Sequence, residues 1–125
     1  MYVIDQPRPS PVAIPGLAHA TWAGQQEGLQ QISIWRQTLQ AGAATPPHTH
    51  DCDEVVLCQA GRGELQVEGE IHRFSAGSTV VLPRGRLHQI FNAGDEPLEI
   101  TGIFGATPVG TFLPDGEPIA LPWRT

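Results

Sequence analysis

The stretch PPHTHDCDEVVLCQAGRG, residues 46–63, decides how the chain is read. Pro46-Pro47 favours an extended approach to His48. His48, His50 and Glu54 then lie at even offsets. Side chains on an extended strand alternate between faces, so a continuous strand would carry all three on one face. Glu54 to Gln59 (EVVLCQ) reads as a buried strand, and Ala60-Gly61-Arg62-Gly63 as the turn that ends it. Two imidazoles and a carboxylate on one face form a metal-binding donor set, although a His-x-His pair taken alone is a weak signal.

Working outward, strand signals recur on both sides. Glu64 to Val67 and Ile71 to Phe74 form a hairpin around Glu68-Gly69-Glu70. Ser75-Ala76-Gly77 turns the chain into Ser78 to Leu82, which breaks at Pro83-Arg84-Gly85. Leu87 to Asn92, carrying His88, and Leu98 to Phe104 follow, separated by Ala93 to Pro97. Upstream, Ile32, Ile34, Arg36 and Thr38 alternate with Ser33, Trp35, Gln37 and Leu39, with both faces mixed in polarity. No window has a helical period. Short strands at regular spacing, bounded by Gly, Pro or Asp, predict an all-β sandwich or barrel. Residues 1–28 read as an extended arm with one short strand around Leu17 to Trp22, and residues 29–105 as the barrel. Residues 106–125 read as a proline-rich tail whose Phe112, Leu113, Ile119, Leu121 and Trp123 are expected to lie along the barrel or a partner subunit.

The composition excludes several classes. At 125 residues the chain fits one domain, which can bury about two-thirds of the surface its unfolded chain exposes. The formal charge of −6, with no basic stripe, argues against a nucleic-acid partner. No apolar run approaches the roughly 20 residues that cross a bilayer. Met1 to Ser10 lacks the basic start and apolar stretch of a signal peptide, so a cytoplasmic location is expected. Cys52 and Cys58 have neither a redox nor a zinc-knuckle spacing, and both are expected to be reduced.

With His88 added, the spacing resembles the cupin family. Gly42, His48, His50, Glu54 and Gly61 match the first cupin motif, and Gly77, Pro83, Gly85, His88 and Asn92 match the second, in order and without departure. The resemblance implies a cupin jelly-roll β-barrel (a double-stranded β-helix) with one metal ion held by His48, His50, Glu54 and His88. Three imidazoles and a carboxylate suit Fe, Mn, Ni, Co, Cu or Zn, ions that accept mixed nitrogen and oxygen ligands, and not Ca²⁺ or Mg²⁺. Four protein ligands on an octahedral ion leave two positions for a chelating substrate, or for substrate beside O₂ or water.

Other residues carry two readings each. Arg36 shares parity with Ile32 and Ile34, and either meets a substrate carboxylate or sits at a solvated rim. His72 shares parity with Phe74; it reads first as a surface histidine and second as a cavity residue. Together with Glu54, Arg36 and His72 are the candidate catalytic groups. Cys52 reads as a bystander thiol and Cys58 as a packed small hydrophobe. Asp53 is a rim charge or a hydrogen-bond partner of a ligand histidine, His19 a solvent-facing arm residue, and Asn92 a turn clamp. The chain has no lysine, which excludes Schiff-base chemistry, and its single tyrosine is Tyr2, in the arm. The leading expectation is a metal-dependent enzyme of dioxygenase or isomerase type acting on a small chelating substrate. The alternative is a non-catalytic binding or sensing module, since one fold hosts many functions. The arm and tail suggest a homodimer formed by exchange between subunits.

Overall fold

The structure is a computed structural model that describes residues 2–125. Its strands are β1 (Ser10–Pro11), β2 (Leu17–Ala23), β3 (Ser33–Leu39), β4 (Thr49–His50), β5 (Glu54–Ala60), β6 (Arg62–Val67), β7 (Glu70–Ser75), β8 (Thr79–Leu82), β9 (His88–Asn92), β10 (Leu98–Phe104) and β11 (Thr111–Phe112). One 3₁₀ turn, Gln25–Glu27, is the sole helical element among the described residues, and no helix is long and apolar enough to cross a membrane.

Two layers face each other. One is a six-stranded sheet in the order β1-β2-β3-β10-β5-β8. The other is the three-stranded sheet β7-β6-β9. Paired bonds between the His48 and His88 backbones, and from Thr45 N–H to the Ile90 carbonyl, dock residues 44–50 beside β9. This brings the small sheet β11-β4 onto the second layer. All pairings are antiparallel. The result is the jelly-roll barrel expected from the sequence.

Burial follows strand parity. On β5, Glu54, Val56 and Cys58 point inward while Val55, Leu57 and Gln59 point outward. On β3 the inward set begins with Ser33, Trp35 and Leu39. The core gathers Leu39, Leu98, Val56, Cys58, Leu65, Val80, Leu82 and Ile90 between the layers. Phe74 lies across Gly63 so closely that a Cβ there would meet the ring at 2.1 Å, so this crossing requires glycine. Asn92 is the turn clamp: its amide donates to the Leu39 and Glu96 carbonyls and its oxygen accepts from the Gly94 N–H.

The short strand read within the arm is a full member of the six-stranded sheet, paired with β3 from Leu17 to Ala23. Residues 113–125 fold back onto the barrel. There Arg124 pairs with Glu27 at 2.9 Å and Trp123 stacks on His19 at 4.0 Å between ring centroids.

Candidate metal centre

Three different elements deliver the donor atoms. His48 and His50 come from the segment around β4, Glu54 opens β5, and His88 opens β9. A continuous strand from His48 to Glu54 is not what the chain forms. It bends at Asp51–Cys52, where the Asp51 carboxylate accepts from Gly110 N–H and the Asp53 carboxylate accepts from Arg84 N–H. The bend passes the chain from one layer to the other. Glu54 therefore reaches the histidines across the barrel, not along one strand face. Asp53 fixes the Pro83–Gly85 turn and does not bond a ligand histidine.

One ring nitrogen of each of His48, His50 and His88 lies within 4.8 Å of the others. All three rings are buried. Each has its Nδ1 on a carbonyl: His48 on Pro46 at 2.6 Å, His50 on Gly110 at 3.1 Å and His88 on Arg86 at 2.9 Å. A carbonyl only accepts, so each Nδ1 carries the proton and, in the neutral ring, leaves Nε2 a bare acceptor. The Nε2 atoms of His48 and His50 stand 3.1 Å apart. Two acceptors at that distance cannot bond each other. Two nitrogens about 2.1 Å from one ion, at right angles, would lie about 3.0 Å apart. Glu54 Oε1 completes the group, 3.5 Å from His50 Nε2 and 3.4 Å from His88 Nε2. Glu54 Oε1 and His88 Nε2 are buried without a well-directed hydrogen bond. Native proteins leave few such atoms unpaired. The cluster thus fits a cation with mixed nitrogen and oxygen ligands.

The electrostatics agree. Burial, with the neighbouring His88 and His50, pushes His48 down to about 3 and holds it neutral. Burial likewise lowers His50. Burial alone would raise the Glu54 carboxyl, but the surrounding imidazoles outweigh it and hold it below the usual carboxylate range. Burial alone would lower His88, but Glu54 outweighs it and raises it. The four side chains therefore hold a place for positive charge among them.

The donors open onto a narrow cavity of about 50 Å³, room for about three or four waters. Its walls include Trp35, Phe104, Ile100, Leu121 and Trp123, with Gln37, Thr45 and Thr111 as neutral polar groups. Gly102 borders Glu54: a Cβ there would lie 2.9 Å from the Phe104 ring and 3.4 Å from Glu54 Oε2. Thr111 Oγ1 lies 3.1 Å from His50 Nδ1 and helps orient that ring. Among the lining residues, only the three histidines and Glu54 titrate.

Two candidate catalytic residues stand elsewhere. Arg36 is on the outer face of the six-stranded sheet, bonded to Gln59, Thr101 and Glu99. The mixed β3 pattern misled here, because the inward set is the one holding Trp35 and Leu39. His72 has inward parity but belongs to edge strand β7, where the barrel is open, so it is exposed and bonds Glu70 at 3.1 Å. His19, expected in solvent, is 6% exposed beneath Trp123. Cys52 packs with Trp35, Phe104 and Val109, and burial raises its thiol to about 11, with Asp51 adding to the rise, so it stays protonated. The sequence reading missed Trp35, Thr45, Thr111 and Trp123 as cavity residues. Trp35 was discoverable from its parity with Leu39.

A family model for the cupin domain matches residues 35–104. The chain belongs to the cupin family. Among curated proteins, this cupin is similar to auxin-binding protein 1 of Arabidopsis thaliana, 34% identical over 109 residues, covering 79% of the chain and 55% of that protein. It thus spans little more than half of that relative's length. Among solved structures, it resembles one chain of the Lactobacillus farciminis oxalate decarboxylase formate complex, with a TM-score of 0.76, 22% identity and coverage of 86% of this chain and 34% of that one. The polyketide cyclase RemF of Streptomyces resistomycificus matches at a TM-score of 0.73 and 17% identity, covering 97% and 87%. At these identities the two structures show the shared barrel fold.

Proposed function

We propose that this cupin holds one divalent transition-metal ion through His48, His50, Glu54 and His88 and binds a small chelating organic molecule beside it. The observation that carries this reading is the convergence of the buried Nε2 atoms of His48, His50 and His88 and the Glu54 carboxylate at the end of a mostly apolar cavity. A metal ion there supplies Lewis acidity towards a carboxylate, enolate or carbonyl oxygen. The chain's residues do the rest. Pro46, Gly110 and Arg86 carbonyls fix the rings, the aromatic and aliphatic walls exclude water, and Gln37, Thr45 and Thr111 offer neutral hydrogen bonds.

Binding is the better-supported role. Beyond the four ligands, the cavity walls contain no acid or base to move a proton, and the similar curated proteins are named for binding a small molecule. The second reading, oxygenase- or isomerase-type chemistry, draws on the same open metal positions. Titration calorimetry of the metal-loaded protein with small carboxylates, diketones and phenols tests the first, with oxygen uptake and product formation followed in parallel. Saturable binding without turnover supports binding, turnover moves the assignment to the enzyme, and absence of both sinks the ligand site.

A further inference from the structure

Gln37 lines the cavity, and its amide can present either a donor or an acceptor there. A chain of three hydrogen bonds decides which. It starts at the Arg124 carbonyl, in the tail that folds back onto the barrel. Thr21 Oγ1 donates to that carbonyl at 2.8 Å. A hydroxyl has a single hydrogen, so Thr21 Oγ1 can only accept from its other neighbour, His19 Nε2, at 2.7 Å. The His19 proton is therefore on Nε2. Burial, with the Arg124 charge, lowers the His19 pKa to about 4, so the ring is neutral at physiological pH and its Nδ1 is a bare acceptor. Gln37 is the register partner of His19 across β2 and β3, and its amide nitrogen lies 3.0 Å from Nδ1. The amide must turn its N–H towards His19. Gln37 Oε1 is left with no hydrogen-bond partner among the described residues, and it is not sealed from solvent.

We propose that Thr21 and His19 set Gln37 as a hydrogen-bond acceptor in the cavity wall, so that the site selects chelating molecules that also carry a hydroxyl or N–H group. The selectivity rests on the cavity being a ligand site, as proposed above. Thr21 and His19 are positioning residues: neither lines the cavity, and both act through Gln37. Trp123 stacks on the His19 ring and lines the cavity, so the tail that anchors the bonds is also a cavity wall. An amide oxygen in a mostly apolar wall is satisfied by a donor. A ligand that brings a second acceptor there leaves both atoms desolvated and unpaired.

Heteronuclear NMR of the histidine ring nitrogens in the full chain, with no ligand added, should find His19 neutral with its proton on Nε2. Thr21→Val keeps the side-chain shape and removes the acceptor, so the proton should move to Nδ1 and the Gln37 amide should turn over. Thr21→Ser should restore the first state. Titration calorimetry of the metal-loaded protein then compares β-hydroxypropanoate and meta-hydroxybenzoate, each with its methyl ether. The hydroxyl form should bind roughly 10-fold more tightly in the wild type, and this preference should vanish in Thr21→Val and in Gln37→Leu. A wild-type proton on Nδ1 overturns the proposal, as does a preference that Gln37→Leu leaves unchanged. No binding of any of these compounds, with the proton on Nε2, would instead overturn the ligand site itself, and the selectivity with it.

Discussion

The barrel interior has two halves built by the same strands. At the cavity end, β5 begins with Glu54 and β9 with His88; at the packed end, β5 continues to Cys58, and β3 and β10 bring Leu39 and Leu98 together. One half buries apolar side chains such as Leu39 and Leu98, each fully inaccessible to solvent. The other buries three imidazoles and a carboxylate that satisfy each other poorly. Burying polar groups without partners costs free energy. The packed half must therefore hold the donors in place until a ligand offsets that cost. Stability and binding sit on opposite ends of the same strands, and each can be perturbed separately.

The strongest test breaks the polar half. His48→Ala/His50→Ala should weaken metal uptake by at least about 1,000-fold, taking the metal content from near-stoichiometric to background by elemental analysis. The apo variant should keep its β circular dichroism, since neither imidazole belongs to the packed core. Folded wild-type protein that takes up no metal when offered it would refute the site. The second test breaks the packed half. Leu98→Ala should cost about 2–5 kcal/mol in denaturant unfolding yet leave metal stoichiometry unchanged below its melting temperature. Loss of metal in the folded variant would show that the halves are not separable.

A finer change sharpens the boundary between them. Thr111→Val removes one partner of His50 Nδ1 and leaves the Gly110 carbonyl. Metal affinity should fall by about 10-fold, the low end for groups that orient a ligand, with little change in unfolding free energy. The smallest effect concerns His19. Burial, with the Arg124 charge, lowers its pKa from 6.5 to about 4. The unfolded chain therefore takes up this proton at a higher pH than the folded chain does. Stability from this site is complete above pH 6.5 and declines as pH falls towards 4. His19→Gln should flatten the slope of unfolding free energy across that window, and an unchanged slope would place the titration elsewhere.

The outer and inner faces of β3 show where sequence reading failed. Ile34 and Arg36 face outward and Trp35 and Leu39 inward, so an apolar count could not choose the core side. Residues 54–59 met the same ambiguity less harmfully, because Val55 and Leu57 on the outer face made the strand look buried on both sides.

The sequence by itself indicated an all-β sandwich or barrel and the positions of its turns, which follow from strand alternation and from glycine and proline at turns. The choice of the jelly-roll barrel and the grouping of His48, His50, Glu54 and His88 as one donor set came from the resemblance to the two cupin motifs. Only the tertiary structure decided that Glu54 meets His50 across a bend, that Arg36 and His72 stand outside the cavity, and that Trp123, stacked on His19, lines it. Those facts depend on which strands lie side by side and on where the chain folds back. Spacing along one strand cannot encode a contact between residues as far apart in sequence as His19 and Trp123.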